Sequence, residues 1–195
     1  MTIPPHILTQ FTDWFEQAHQ ESGLQYSNAV HLSTGGVDNR VSGRVVLLKD
    51  YDERGFVFYT DYNGRKSMEL MENPAAALTL YWEALSKQVR IEGMVEKVSD
   101  AQSDAYFASR PRESQIGAWA SEQSEPLASR EHLLTRFKEY EFRFLGKDVP
   151  RPPNWGGWRL KPDMIEFWQE GDFRLHVRDV YRVIGGQWQK QLLNP

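Results

Sequence analysis

The apolar positions of this chain fall into two rhythms. Between Pro5 and about Ser22, Ile7, Phe11, Trp14, Phe15 and Ala18 recur at helical spacing and Gly23 supplies a stop, which predicts an amphipathic helix packed on the body. From Ser27 to Ser99 the rhythm shortens to that of strands: Ala29 to Ser33, Arg40 to Lys49, Phe56 to Tyr62, Ala76 to Trp82, and Gln88 to Val98. Turn chemistry separates the first three, in Gly35-Gly36-Val37-Asp38-Asn39 and Asp50-Tyr51-Asp52-Glu53-Arg54-Gly55. Gly64 to Pro74 reads as a short helix, with Met68 and Met71 on one side and Asn73-Pro74 ending it. Ser99, with Gln102 three residues on, caps a helix running to about Ser109, where Pro111 disfavours continuation, and a further helix covers Ser129 to Phe144. Strand character returns in Trp158 to Gln169, Arg174 to Ile184 and Gln187 to Leu193, the last two joined at Gly185-Gly186.

Runs of antiparallel strands with helices inserted late predict a mainly β fold, a closed or split β-barrel with peripheral helices, rather than alternating βαβ units. No repeat or linker divides the chain. Residues 1–195 are expected to form a single domain, with 1–23 as its amino-terminal helix.

Composition narrows the function classes. Aromatic residues make up 13% of the chain, so a packed body is expected rather than disorder. The absence of cysteine excludes disulfides and thiolate chemistry, and with no secretory or membrane-spanning segment in the sequence a cytoplasmic location is expected. A net charge of −4 argues against binding nucleic acid by general attraction to phosphate. The five histidines (His6, His19, His31, His132, His176) are scattered, so no metal site is expected, and no Walker loop, GxGxxG or Gly-x-Ser-x-Gly elbow is present.

Basic residues nonetheless cluster, at Arg44 to Lys49, Arg65-Lys66, Arg110 to Arg112 and Arg174 to Arg178, which suggests a small anionic ligand as readily as dispersed surface ion pairs. In an extended segment Arg174, His176 and Arg178 would share one face, an arrangement that like-charge repulsion disfavours unless an anion binds or the row protects a sheet edge. Tyr106, Arg110 and Ser114 form a donor set suited to a phosphate, or an exposed helix face. Gln88, Gln123-Ser124 and Trp168 suit the polar edge and flat face of a heterocycle.

Taken together these blocks resemble the pyridoxine/pyridoxamine 5′-phosphate oxidase family, from about Ala29 to the carboxyl terminus. The resemblance is carried by Arg44-Val-Val-Leu-Leu-Lys49, Gly55-Phe-Val-Phe-Tyr-Thr60, Arg65-Lys66, Gln88-Val-Arg-Ile-Glu-Gly93, Tyr106-Phe-Ala-Ser-Arg-Pro111, Ser114-Gln-Ile-Gly-Ala118, Gln123-Ser124, Trp155-Gly-Gly157, Ile165-Glu-Phe-Trp168 and Arg174-Leu-His176. It implies an FMN-binding split barrel, a homodimer with FMN at the subunit interface, and oxidation of pyridoxamine or pyridoxine 5′-phosphate to pyridoxal 5′-phosphate, with dioxygen reduced to hydrogen peroxide. By position it implies FMN contacts from Arg44, Val45, Val46, Leu47, Leu48, Lys49, Tyr59, Thr60, Arg65, Lys66, Gln88, Gln123, Ser124, Trp168 and Arg178. It likewise assigns the substrate phosphate to Lys49, Tyr106, Arg110 and Ser114, with Arg174 and His176 as catalytic residues facing the pyridine ring. Arg44 and Lys49, five apart, would fall on opposite faces of a regular strand, which requires a bulge or two different ligands.

Four departures bear on the site: Val177 where the family has Asp beside Arg178, Gly64 where it has Ser, Leu192-Leu193-Asn194-Pro195 in place of an Arg-Leu-Ala-Pro ending, and a short amino-terminal arm, together suggesting looser closure over the substrate. The alternatives are a related flavin enzyme acting on another substrate, such as a phenazine-type precursor, or a non-catalytic protein that binds FMN or pyridoxal phosphate.

Overall fold

The computed structural model describes residues 1–21 and 23–195, so the expected helix end at Ser22 lies outside the described residues. Helix α1 (Pro5–Gln20) buries Ile7, Phe11 and Ala18, as its apolar spacing requires, and the Phe11 ring meets Tyr51 and Phe56 edge-on at 4.8 and 4.9 Å. The strands are β1 (Ala29–Gly35), β2 (Val41–Leu47), β3 (Asp50–Asp52), β4 (Gly55–Asp61), β5 (Ala75–Trp82), β6 (Lys87–Lys97), β7 (Trp155–Gln169), β8 (Val177–Ile184) and β9 (Gln187–Leu192). All pair antiparallel in one sheet, in the order β2-β1-β5-β6-β7-β4-β3, with β8 and β9 added beside the far half of β7. The sheet curls until its ends meet: the Lys49 amide, just past β2, donates to the Val57 carbonyl of β4 at 2.9 Å. Phe56, Phe58, Leu78, Leu80, Ile91 and Leu160 fill the interior.

Among the described residues, five α-helices sit outside the sheet. Helix α2 (Arg65–Glu72) follows β4, and α3 (Asp100–Ser109), α4 (Arg112–Ala120) and α5 (Arg130–Arg143) fill the connection from β6 to β7. Phe107, Ile116, Phe144, Val149 and Trp155 form a second core beneath them. Ser99 and Ser129 cap α3 and α5 by accepting from the Gln102 and His132 amides. Helix α4 was not expected from the sequence: its apolar residues are too few to show a helical period, and Pro111 ends α3 but also serves as the N-cap of α4. The expected turn at Asp50 to Gly55 is a tight hairpin, with Asp50–Asp52 paired to Gly55–Val57.

Strand β7 organises the rest. It pairs with β6 along its length, with β4 through Trp155–Leu160 and with β8 through Met164–Gln169. A register shift at Glu92/Gly93 lets it bend, and Gly93 is required there because a β-carbon would lie 2.1 Å from the Lys161 carbonyl oxygen. The 13 residue steps from Trp155 to Trp168 amount to about 40 Å of strand contour.

Candidate active site

The seam where the curled sheet closes opens into a cavity of about 640 Å³. The end of β2 contributes Val45, Val46 and Leu47, and Lys49 follows it; β4 contributes Tyr59, Thr60 and Asp61. Lys66 enters from α2, Tyr106 from α3, Ser114 and Gly117 from α4, and Arg110 from the corner between those two helices. Gln123 comes from the loop after α4, and Trp155 forms part of the wall. Of these, Asp61, Gly117 and Trp155 had been given no role from the sequence, because a single carboxylate or tryptophan carries no spacing signal.

Three cations face this space. The Arg110 guanidinium lies over the Trp155 ring at 4.8 Å and the Phe107 ring at 5.5 Å, and its Nη1 is buried without a hydrogen-bond partner among the described residues. Burial pushes the Arg110 guanidinium below its ordinary value, although it stays far from losing its proton near neutrality. Lys66 is likewise lowered by burial and by the neighbouring Arg44 charge. A buried cation lacking a counterion is unfavourable by several kcal/mol at most sites, so the cavity is built for an anion that its own side chains do not provide. The Tyr106 ring stacks on Tyr59 at 3.9 Å, which fixes it beside Arg110, and burial raises its hydroxyl so that it remains a proton donor at neutral pH.

Lys66 donates to Gln123 Oε1 at 2.5 Å and to Thr60 Oγ1 at 3.1 Å. Gly64 makes room for this: a β-carbon at 64 would fall 2.6 Å from Gln123 Oε1. The Gln123 amide therefore occupies the space that a serine at 64 would use. Ser124 Oγ accepts from the Arg65 amide at 3.2 Å, beside the start of α2.

Arg44 does not line the cavity. Strand β2 ends at Leu47, so the opposed faces expected for Arg44 and Lys49 do not arise within one strand; Arg44 turns away to Thr34, Ser42 and Glu69, and Lys49 turns in. Arg65 is mostly solvent-exposed and pairs with Glu69 at 2.8 Å across one helical turn. Leu48 is 3% exposed and belongs to the core. In the sequence Glu69 is marked only by its i,i+4 spacing from Arg65. Burial by itself would raise the Glu69 carboxyl, but hydrogen bonds from Ser42, Thr34 and Arg65, with the Arg44 charge, outweigh it and hold the group at about 2. A depressed carboxyl contributes stability that is present above its ordinary value of 4.5 and is lost as pH falls toward 2. Melting temperature measured against pH is accordingly expected to drop over that window in the parent and to flatten there in Glu69→Gln; superimposable acid limbs would contradict the assignment.

A second cavity, of about 690 Å³, is lined by Ser86, Trp168, Phe173, Arg174 and His176 and shares no residue with the first. Its surroundings correct one expectation. Arg174 and His176 precede β8 rather than lying in it, because Phe173 and Arg174 adopt left-handed backbone with φ of 56° and 64° and the strand starts at Val177. The three-membered row on one strand face does not exist. Arg178 alone is on the strand, opposite Trp168, and donates to Glu166 Oε1 at 2.7 Å. Glu166, 3% exposed, thus provides the orienting carboxylate that Val177 lacks. The His176 ring lies 4.7 Å from the Trp168 ring, and its Nδ1 accepts from the Gly171 amide at 3.3 Å, leaving Nε2 as the donating nitrogen of the neutral ring. Gln88 pairs with Trp168 across β6 and β7.

The chain is similar to known proteins over its whole length. Residues 15–144 match the family model for pyridoxamine 5′-phosphate oxidase, and residues 155–195 match the pyridoxine 5′-phosphate oxidase C-terminal dimerisation region. The pyridoxine/pyridoxamine 5′-phosphate oxidase of Rubrobacter xylanophilus is 54% identical over 98% of this chain and 88% of the relative, and that of Myxococcus xanthus is 52% identical over 99% and 93%. Among solved structures, PhzG from Burkholderia lata, determined with tetrahydrophenazine-1-carboxylic acid, superposes with a TM-score of 0.89 at 31% identity, covering 100% of this chain and 94% of that one. A pyridoxamine 5′-phosphate oxidase-related, FMN-binding protein from Nostoc punctiforme shares the fold, with a TM-score of 0.76 at 15% identity over 99% and 98% of the two chains. No helix among the described residues is long and apolar enough to cross a membrane. With an antiparallel curled barrel, a cationic cavity at its seam and both family regions in order, the chain belongs to the pyridoxamine 5′-phosphate oxidase family.

Proposed function

We propose that two copies of this chain form an FMN-dependent oxidase that converts pyridoxamine 5′-phosphate and pyridoxine 5′-phosphate to pyridoxal 5′-phosphate, with dioxygen as acceptor and hydrogen peroxide released. The observation that carries this reading is the buried, unpartnered Nη1 of Arg110 in a cavity that also holds Lys49, Tyr106 and Ser114. A phosphate dianion satisfies all four donors at once.

The residues also suit a flavin. Lys66, Thr60 and Ser124, with the first amides of α2, form a second anion-binding group for its phosphate, and Arg65 and Arg44 stand behind them. Val45, Val46 and Leu47 offer an apolar wall for the rings. When bound, the flavin supplies the two-electron redox chemistry. The chain's own part is to hold the substrate phosphate at Arg110, exclude water with the Tyr59, Tyr106 and Trp155 stack, and present the reacting substituent. Arg174 and His176 serve that last role, His176 donating through Nε2.

The two cavities of one chain share no lining residue, and Trp155 and Trp168, which mark them, are about 40 Å of strand contour apart on β7. The reading therefore places Arg174 and His176 in the site whose phosphate donors belong to the partner, consistent with the dimerisation region matched at residues 155–195. The likeness to PhzG favours a second reading, oxidation of a phenazine-type precursor without a phosphate. Such a substrate would leave Lys49, Tyr106, Arg110 and Ser114 idle. The visible spectrum decides: the purified protein is expected to be yellow, or to become so with FMN, and to bleach when pyridoxamine 5′-phosphate is added without oxygen. A colourless protein that FMN does not reconstitute would defeat the oxidase reading, and bleaching with only the phenazine precursor would favour the second one.

A further inference from the structure

Phe173 is 94% exposed and stands in left-handed backbone, φ 56°, directly before Arg174 at φ 64°. Both features are unfavourable for a phenylalanine in an isolated chain. Left-handed backbone disfavours any residue with a β-carbon, and is tolerated best by Gly, Asn and Asp. An aromatic ring in water forgoes the burial that dominates its contribution to stability. The turn is nevertheless held in shape: the Leu175 amide donates to the Asp172 carbonyl at 3.0 Å, and Gly171 lets the chain double back, since a β-carbon there would lie 2.3 Å from the Leu175 carbonyl oxygen. Leu175 and Val177 beside it are 68% and 54% exposed, so an apolar tip projects from the same turn that carries Arg174 and His176.

The tip lies within residues 155–195, the region that matches the dimerisation-region family model. In the other cavity, the lining face of α4 leaves unfilled space: a β-carbon at Gly117 would meet nothing within 4 Å. We propose that Phe173 of each protomer seats at the mouth of the partner's 640 Å³ cavity against α4 near Gly117, where its ring walls off the flat face of the substrate. This rests on the reading that the two half-sites combine across the dimer. Phe173 then acts as a specificity-determining residue, and the strain in its backbone is offset by burial that exists only in the dimer.

The cysteine-free chain allows a direct test. With Phe173→Cys and Gly117→Cys in one chain, mild oxidation or a short bis-maleimide is expected to give a covalent dimer on denaturing gels, and neither single variant is expected to do so. A double variant that sediments as a dimer yet does not cross-link would overturn the proposal, as would cross-linking of Phe173→Cys alone, which would put the tip at its own symmetry mate. If the chain sediments as a monomer, the combined half-site reading fails first and takes this inference with it. Phe173→Asn, which suits the left-handed backbone, is expected to raise KM for pyridoxamine 5′-phosphate about tenfold with kcat and dimerisation little changed. An unchanged KM would remove the wall.

Discussion

Replacing Arg110 with methionine is expected to make the ligand-free protein more stable while nearly abolishing its affinity for a phosphorylated substrate. Among the described residues the guanidinium has an orphaned, buried Nη1 and ring contacts from Trp155 and Phe107. An unsatisfied buried polar group costs about 1 to 3 kcal/mol, whereas a stacked cation returns about 1 kcal/mol. Methionine keeps the contact with the Trp155 ring and drops the unsatisfied charge. For a domain of this length a net gain of about 1 kcal/mol corresponds to a rise in Tm of about 2 to 4 °C. Losing two charge-assisted hydrogen bonds to a phosphate, by contrast, lowers kcat/KM by about 100-fold or more. Calorimetry of the ligand-free protein alongside steady-state kinetics measures both signs. A variant that melts lower and retains its KM would show that Arg110 is a structural residue and that the anion sits elsewhere.

The second large effect concerns Arg174, and it separates one-chain from two-chain sites. Arg174→Ala is expected to lower turnover by about 100-fold, the usual scale for losing an oriented donor at the reacting group, with flavin affinity within about threefold of the parent. Mixing this variant with Arg110→Met by joint refolding goes further. In an isologous dimer half of the randomly mixed assemblies are heterodimers, and each has one site carrying both substitutions and one carrying neither. Activity is therefore expected to recover to about a quarter of the parent from two nearly inactive preparations. A mixture no more active than its components, with heterodimers demonstrated by mass, would place both residues in the same chain's site.

The sequence carried most of the fold because each strand has to hide one face. Alternation over Gln88 to Val98 and the continuous apolar run of β4 register as strands, and the Phe11, Trp14, Phe15 spacing registers as a helix. What stayed hidden was set by backbone dihedrals and by contacts far apart in sequence. Nothing local announces that Phe173 and Arg174 turn left-handed, so a run that reads as strand from Arg174 begins at Val177. Helix α4 lacks a periodic face because it packs through Ile116 and Ala120 while its other side lines a cavity. The Tyr106, Arg110 and Ser114 donors were legible as a set from their spacing, but their meeting with Lys49, Lys66 and Gln123 was not: these come from four separate segments, and spacing along a chain does not report convergence in space. The Glu69 cluster was hidden for a related reason, since three of its four partners, Thr34, Ser42 and Arg44, are contributed by the β1–β2 hairpin, more than one element away.

The Lys66 to Gln123 contact also bears on what the cavity gives up when it fills. An amide oxygen already stands on the lysine that an incoming anion must reach, attached to a side chain whose one other side-chain tie among the described residues is to Thr60. Admitting the anion takes a move of one glutamine side chain, with the barrel backbone left as it is. The incoming anion therefore competes with a neutral amide for the lysine, and among the described residues no ion pair of Lys66 has to be broken to admit it.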